Sequence, residues 1–136
     1  MTKIIIYGNA GQGVKLVSII LANILQNQGY QIALSHRYSP LVRSGESNAY
    51  LIFSKDKIEN PLVEDADFEY DLNKTDYQAS LLNKCENPRM MNMVFLGVML
   101  KELKIAIKPE DIKVFLPKRF IEENLSAIMK GYTSIS

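Results

Sequence analysis

Gly8, Gly11 and Gly13 lie between the apolar stretch Ile4–Tyr7 and the longer apolar run Val14–Leu25. Glycines at a strand-to-helix bend leave main-chain N–H groups free at the helix N-terminus. They also remove the Cβ atoms that would block a ligand, and the helix dipole there favours negative charge. The chemistry is the holding of an anion such as a phosphate. The same geometry also suits close packing against another chain, or simply a tight turn.

Two phosphate-binding signatures nearly fit this bend. A dinucleotide loop reads G-x-G-x-x-G, and Gly8, Ala10 and Gly13 occupy those places with alanine for the middle glycine. Such a unit ends its second strand on an acid that holds a ribose hydroxyl. Ser35, His36 and Arg37 stand there instead, which disfavours NAD and leaves Arg37 as a receiver of a 2′-phosphate, in the manner of NADP. The mononucleotide loop G-x-x-x-x-G-K-[ST] finds its glycines in Gly8 and Gly13, but Val14 takes the lysine place and Lys15 the hydroxyl place. Lys15 is one residue late, about 100° further round a helix, and no hydroxyl is present for magnesium. Hydrolysis of ATP or GTP is therefore not expected.

Charge supports an anion site near this bend. The formal net charge is only +1, which argues for neither nucleic acid nor membrane binding. Lys3, Lys15, Arg37 and Arg43 nevertheless precede the first acidic residue, Glu46. A cation-rich, carboxylate-free segment suits an anionic ligand or an acidic partner surface. Arg43 has the forked guanidinium suited to bidentate anion contact, and equally to a surface or interface salt bridge. Gln12 has an amide that could serve a ligand, a partner chain or the loop itself.

Other reactive side chains read as structural. The single cysteine, Cys85, precludes an internal disulfide and reads as a small buried or half-buried side chain in a reducing compartment. No ligand spacing surrounds it, so no metal or iron–sulfur site is expected on this chain. His36 has no nearby carboxylate in sequence to orient it and reads as solvent-exposed or interfacial rather than as an acid–base catalyst. Tyr38 and Tyr50 read as packing residues, and Met90, Met91 and Met93 as core or interface filler. No catalytic residue is expected.

The elements that position these residues follow from periodicity. Lys3–Tyr7 reads as a buried strand ending at Gly8, and Val14–Gln28 as a helix closed by Gly29. Gln31–Ser35 is a second strand, parallel to the first through a right-handed crossover. After a loop over residues 37–47, Asn48–Phe53 is a third strand, with a turn at Lys55–Asp56 and a fourth strand around Phe68–Leu72. Thr75–Lys84 looks helical, and "ENPR" breaks it. A helix over Met91–Lys104 then places Met93, Leu96, Met99, Leu100 and Leu103 on one stripe. Pro109 suits the first turn of a short helix with Glu110 and Asp111 near its positive end. Beyond Pro117, a last helix runs through Leu125, Ile128 and Met129 and stops near Gly131.

The 136 residues allow one compact α/β domain with a helical end and leave little room for a second. The longest apolar run is too short for a membrane span of about 20 residues. Only two residues precede the first strand, so no targeting peptide is expected, and the chain reads as cytoplasmic.

Two motifs in order carry a resemblance. "GNAGQGV" followed by a helix, then "RYSPLVRSGESNAYLIFSKDKIENPLVEDAD", resembles the gamma subunit of the 2-oxoacid:ferredoxin (acceptor) oxidoreductases. That family's pattern is G-x-G-G-Q-G-V, then P-x-x-R-G-G, a strand, a Ser-Asp-like turn and an I-x-x-P step. "ENPRMMNMVFLGVMLKEL" resembles its Asn-rich start of a late helix, and "FIEENLSAIMKGY" its closing helix. The nearest type is that of 2-oxoglutarate, within the gamma domain shared by pyruvate and ketoisovalerate oxidoreductases. Three departures stand out. Ala10 replaces a glycine at little cost in backbone freedom. Ser44 replaces another, which costs of order 1 kcal/mol if φ there is positive. Some tens of residues between "YDLNKTDYQASLL" and "NPR" are reduced to Asn83, Lys84, Cys85 and Glu86.

The resemblance implies a Rossmann-like, three-layer α/β/α fold with a mostly parallel sheet and a helical C-terminal part, forming one gamma domain over residues 1–136. It implies a subunit outside the catalytic core of a complex that oxidatively decarboxylates a 2-oxoacid, 2-oxoglutarate or pyruvate, with coenzyme A. The products are an acyl-CoA, carbon dioxide and reduced ferredoxin. Thiamine diphosphate, magnesium and iron–sulfur clusters would sit on the alpha, beta and ferredoxin-like delta partners. The chain in isolation could pair as a homodimer. Coenzyme A or another anion would meet Gly11, Gln12, Gly13, Val14, Arg43, Ser44 and Gly45. The alternative is a free-standing NADP-like binding module without catalysis.

Overall fold

Isoleucines at 4, 5 and 6, and the β-branched and aromatic residues of the segments that follow, favour extended chain with side chains alternating between two faces. A computed structural model of the chain describes residues 1–9, 13–37, 46–60, 65–72 and 91–134. Its contacts divide it into two units, Met1–Asn73 and Lys74–Ser136. The expected helix at Thr75–Lys84 lies outside the described residues, as does Cys85.

The first unit contains β1 (Thr2–Asn9), α1 (Val14–Asn27), β2 (Gln31–Arg37), β3 (Glu46–Ser54) and β4 (Phe68–Asp71). The strand order among the described residues is β2-β3-β1-β4. β3 runs antiparallel to both β1 and β2, and β4 runs parallel to β1. The sheet is therefore mixed, which corrects the expectation of a mostly parallel one. β1 and β2 do point the same way, but β3 lies between them. The reason is connection length: eight residues separate β2 from β3, whereas a parallel crossover needs a dozen or more.

Both faces of β1 are covered. Ile4 and Ile6, fully buried, share a face with Ala49 and Leu51 of β3, and α1 packs there through Val17, Ile20, Leu21, Ile24 and Leu25. On the opposite face Ile5 and Ile52 are enclosed by Tyr7, Ala33, Tyr50, Ile58 and Ala66.

α1 ends as expected at Gly29. With φ of 93°, Gly29 lets Tyr30 N–H reach back to Leu25 O at 3.1 Å and its own N–H reach Gln26 O at 3.0 Å. This paired closure satisfies carbonyls that the helix leaves open. Lys55 Nζ donates to Gln28 O at 2.9 Å and lies 3.9 Å from the centre of the Tyr30 ring. α1 has no basic residue in its last turn, so the cation that complements its negative end comes from the turn after β3.

The second unit is helical among its described residues: α2 (Met91–Glu102), α3 (Pro109–Lys113) and α4 (Ile121–Thr133). α2 is not buried on one stripe alone, because every residue from Met93 to Leu100 is buried. It ends two residues before the expected Lys104, which adopts φ of 60° while Ile105 N–H bonds Leu100 O at 2.9 Å. Gly131 does not stop α4, which continues to Thr133. It serves instead to bring two helices together. A methyl group on Gly131 would run into Val94 O, and one on Gly97 into Ile128 O. α2 and α4 thus meet backbone to backbone. Pro109 opens α3 with Glu110 and Asp111 in its first turn, as expected.

Candidate anion-contact end of the sheet

The register places one end of the first unit's sheet in view. Asn9 at the end of β1 pairs with Glu46 at the start of β3, Arg37 at the end of β2 pairs with Asn48, and Tyr7 pairs with Asp71 near the end of β4. The C-terminal ends of β1, β2 and β4 and the N-terminus of α1 therefore lie together. In α/β sheets ligands bind outside these strand ends.

Two expected site residues are described. Gly13 is the N-cap of α1, with φ of 76° and ψ of 26°, and it has no side chain with which to cap the helix. That left-handed conformation favours glycine. The first intrahelical bond runs from Val17 N–H to Gly13 O at 2.9 Å. Val14 is 2 % exposed, so its side chain belongs to the core and only its main-chain N–H can serve a ligand. The first turn of α1 holds no acidic residue and contains Lys15. A positively polarised helix start with no side-chain cap among the described residues suits a phosphate. Gly11, Gln12, Arg43, Ser44 and Gly45 lie outside the described residues, as do Ala10 and Tyr38. What the structure brings together is the flanks of their segments, since residues 9 and 46 are register partners.

His36, read from the sequence as solvent-exposed or interfacial, is not fully exposed in the chain. It is half-buried on the α1 face, with Nε2 2.8 Å from Ser18 Oγ. Ser18 is fully buried, and its hydroxyl donates to Lys15 O at 2.9 Å. With that one proton committed, the Ser18 oxygen accepts from His36 Nε2–H. Burial pushes the His36 pKa below its ordinary value, and Lys15 adds to the effect. The ring is therefore neutral at pH 7. Among the described residues no carboxylate orients it; a serine 18 positions upstream does.

Two further polar groups gave no signal in the sequence. Asn48 Oδ1 is buried and, among the described residues, accepts no hydrogen bond. It stands between Tyr7 and Arg37 in the register, at the same end of the sheet. On that side the Tyr7 hydroxyl donates to Glu69 Oε1 at 3.2 Å, and burial, followed by that carboxylate, raises its pKa. Only strand pairing brings these residues together. Among the described residues, no group of three or more His, Cys, Asp or Glu could hold a metal ion, and no helix is long and apolar enough to cross a membrane.

The chain matches proteins of known family. Against the curated 2-oxoglutarate synthase subunit KorC of Archaeoglobus fulgidus it is 26% identical over 159 residues, covering 93% of this chain and 84% of that protein. The alignment is longer than the 136-residue chain, so the archaeal protein holds residues with no counterpart here. The fold is that of the gamma subunit of the Geobacter sulfurreducens keto/oxoacid ferredoxin oxidoreductase, with TM-score 0.75, 20% identity and 96% and 94% of the two chains covered. Pyruvate oxidoreductase subunit PORC of Thermotoga maritima superposes with TM-score 0.64, 20% identity and the same coverage. The 2-oxoglutarate:ferredoxin oxidoreductase of Magnetococcus marinus superposes with TM-score 0.68 at 16% identity, but 96% of this chain corresponds to only 30% of that longer one. The model of the pyruvate ferredoxin/flavodoxin oxidoreductase family matches residues 3–81, which include the glycine bend, α1 and, apart from Thr2, the four described strands. With more than half of its length matched in this way, the chain belongs to that family.

Proposed function

We propose that this chain is the gamma subunit of a 2-oxoacid:ferredoxin oxidoreductase, working as a single domain against alpha and beta partners and a ferredoxin-like delta partner in the cytoplasm. The complex oxidatively decarboxylates a 2-oxoacid, 2-oxoglutarate or pyruvate, with coenzyme A as co-substrate. The family match across residues 3–81 carries the reading, because it takes in both the glycine bend and the Arg43 segment. Thiamine diphosphate, magnesium and iron–sulfur clusters belong to the partners. A [4Fe–4S] cluster is commonly held by four thiolates, and this chain has one cysteine.

The chain's own contribution is packing and contact with an anion, a coenzyme A phosphate or an acidic partner surface. The main-chain N–H groups over Gly11, Gln12, Gly13 and Val14 would receive it at the start of α1. Arg43, beside Ser44 and Gly45, would add a charged fork. The uncapped, acid-free start of α1 fits a phosphate group.

Co-expression with the large subunits tests the assembly. The expected result is a co-eluting complex with iron–sulfur colour; a stable monomer that ignores those subunits would overturn it. Isothermal titration of the full chain tests the ligand. Coenzyme A should bind and NADPH should not, and Arg43→Ala should weaken coenzyme A by roughly ten- to a hundredfold, the cost of a lost charged hydrogen bond. Tight NADPH binding with no response to coenzyme A would favour the free nucleotide module instead.

A further inference from the structure

Ser18 and His36 are 18 positions apart and lie on different elements, yet their polar atoms stand 2.8 Å apart. Ser18 sits little more than one turn into α1, and His36 is the last residue but one of β2. Each is therefore next to a segment assigned above to the anion: residues 10–12 run into α1, and residues 38–45 run out of β2. We infer that His36 is a positioning residue, whose hydrogen bond to the buried Ser18 holds the start of α1 against the end of β2, the two described flanks of that site. This rests on the anion-contact reading of the same end of the sheet.

The bond suits that task. Ser18 is fully buried, and its hydroxyl is fully used, donating to Lys15 O and accepting from the ring. Losing the ring would leave a buried acceptor unpaired, which costs more than the bond itself contributes. Nε2 carries a proton in both the neutral and the cationic ring, so the bond survives protonation. The surroundings are otherwise simple. Among the described groups Lys15 is the charged one acting on the ring from α1, and its register partner on β3 is the apolar Ala49. A negative charge bound at the start of α1 would offset Lys15 and favour the protonated ring. Linkage makes the effect reciprocal, so protonation of His36 strengthens anion binding.

The test uses the full chain with coenzyme A and inorganic pyrophosphate as probes. His36→Ala should weaken both by about two- to tenfold, the loss of one net hydrogen bond. His36→Gln, whose amide keeps an N–H donor, should retain most of the affinity. The Ser18→Ala/His36→Ala double variant should bind no more weakly than His36→Ala alone, because the two residues act as one unit. Saturating pyrophosphate should also raise the titration midpoint of the His36 ring, followed by proton NMR in the wild-type chain. A merely structural histidine would lower the thermal midpoint when replaced but would not titrate differently with the anion present. Unchanged affinity in His36→Ala, with wild-type binding intact and the ring indifferent to pyrophosphate, would overturn the inference and leave the anion site standing. Wild-type chain that binds neither probe would overturn both. If His36→Ala does not fold, Ser18→Ala and His36→Gln decide: weak binding in the first with near-normal binding in the second supports the inference, and equal binding in both overturns it.

Discussion

Ser18 has one hydroxyl proton, and the main chain of its own helix takes it. With the hydroxyl proton directed to Lys15 O, His36 approaches as the donor through Nε2–H. It also has a consequence for pH. Burial and Lys15 hold the His36 pKa below its ordinary value of 6.5, so the unfolded chain takes up a proton at a higher pH than the folded chain does. Stability is full above that ordinary value and declines as pH falls from it towards the folded value. Urea unfolding between about pH 7.5 and about pH 5.5 should show the decline, and His36→Gln should flatten it. A wild-type slope of opposite sign would contradict the half-buried ring with its lowered pKa. At this scale the sequence was only partly legible. A glycine in a left-handed conformation at position 13 is what a strand-to-helix bend asks for, and the sequence marked it. The pairing of Ser18 with His36 and the burial of the Asn48 oxygen carried no mark, because both depend on which elements pack together.

Gly29 and Gly131 look alike in sequence, each near the end of an apolar helical pattern, and they do opposite things. Gly29 ends α1 because its φ is positive and two backward hydrogen bonds close on it. Gly131 stays inside α4 because the carbonyl of Val94 occupies the place where a side chain would be. Local pattern cannot separate the two, since the second is decided by another helix. Gly131→Ala should therefore destabilise the chain by at least about 2 kcal/mol, the cost of overpacking a backbone contact, although alanine is the better helix former. Gly97→Ala should behave likewise, and denaturant unfolding of both variants checks this. Lys104 presents the converse case. It holds a left-handed conformation that a lysine adopts at a cost of roughly 1 kcal/mol, so Lys104→Gly should be neutral or stabilising by up to about that amount. A marked loss of stability in Lys104→Gly would show that the lysine side chain itself supports the closure of α2.

At the scale of the molecule, the insertion of β3 between β1 and β2 gathers the ends of three strands and the start of α1 at one edge. Of the lysines that precede the first carboxylate in the chain, Lys15 in the first turn of α1 stands at that edge, whereas Lys3 lies at the opposite end of β1. If this surface meets an acidic partner, raising sodium chloride from about 0.05 M to about 0.5 M should slow association with the large subunits severalfold, as exposed charges are screened. Association rates from surface plasmon resonance measure it, and salt-independent rates would remove charge from the account. The sequence by itself determined the strands, the long first helix and its closure at Gly29, and the family, because hydrophobic period, glycine and proline placement and an ordered pair of motifs are local properties. It also held the clue to the mixed sheet, in a connection too short for a crossover, although strand direction was read from the strand–helix–strand unit alone. The tertiary structure alone decided which buried polar atoms meet and which glycine is a stop and which a contact. Those outcomes depend on atoms distant in the chain, and no local pattern records them.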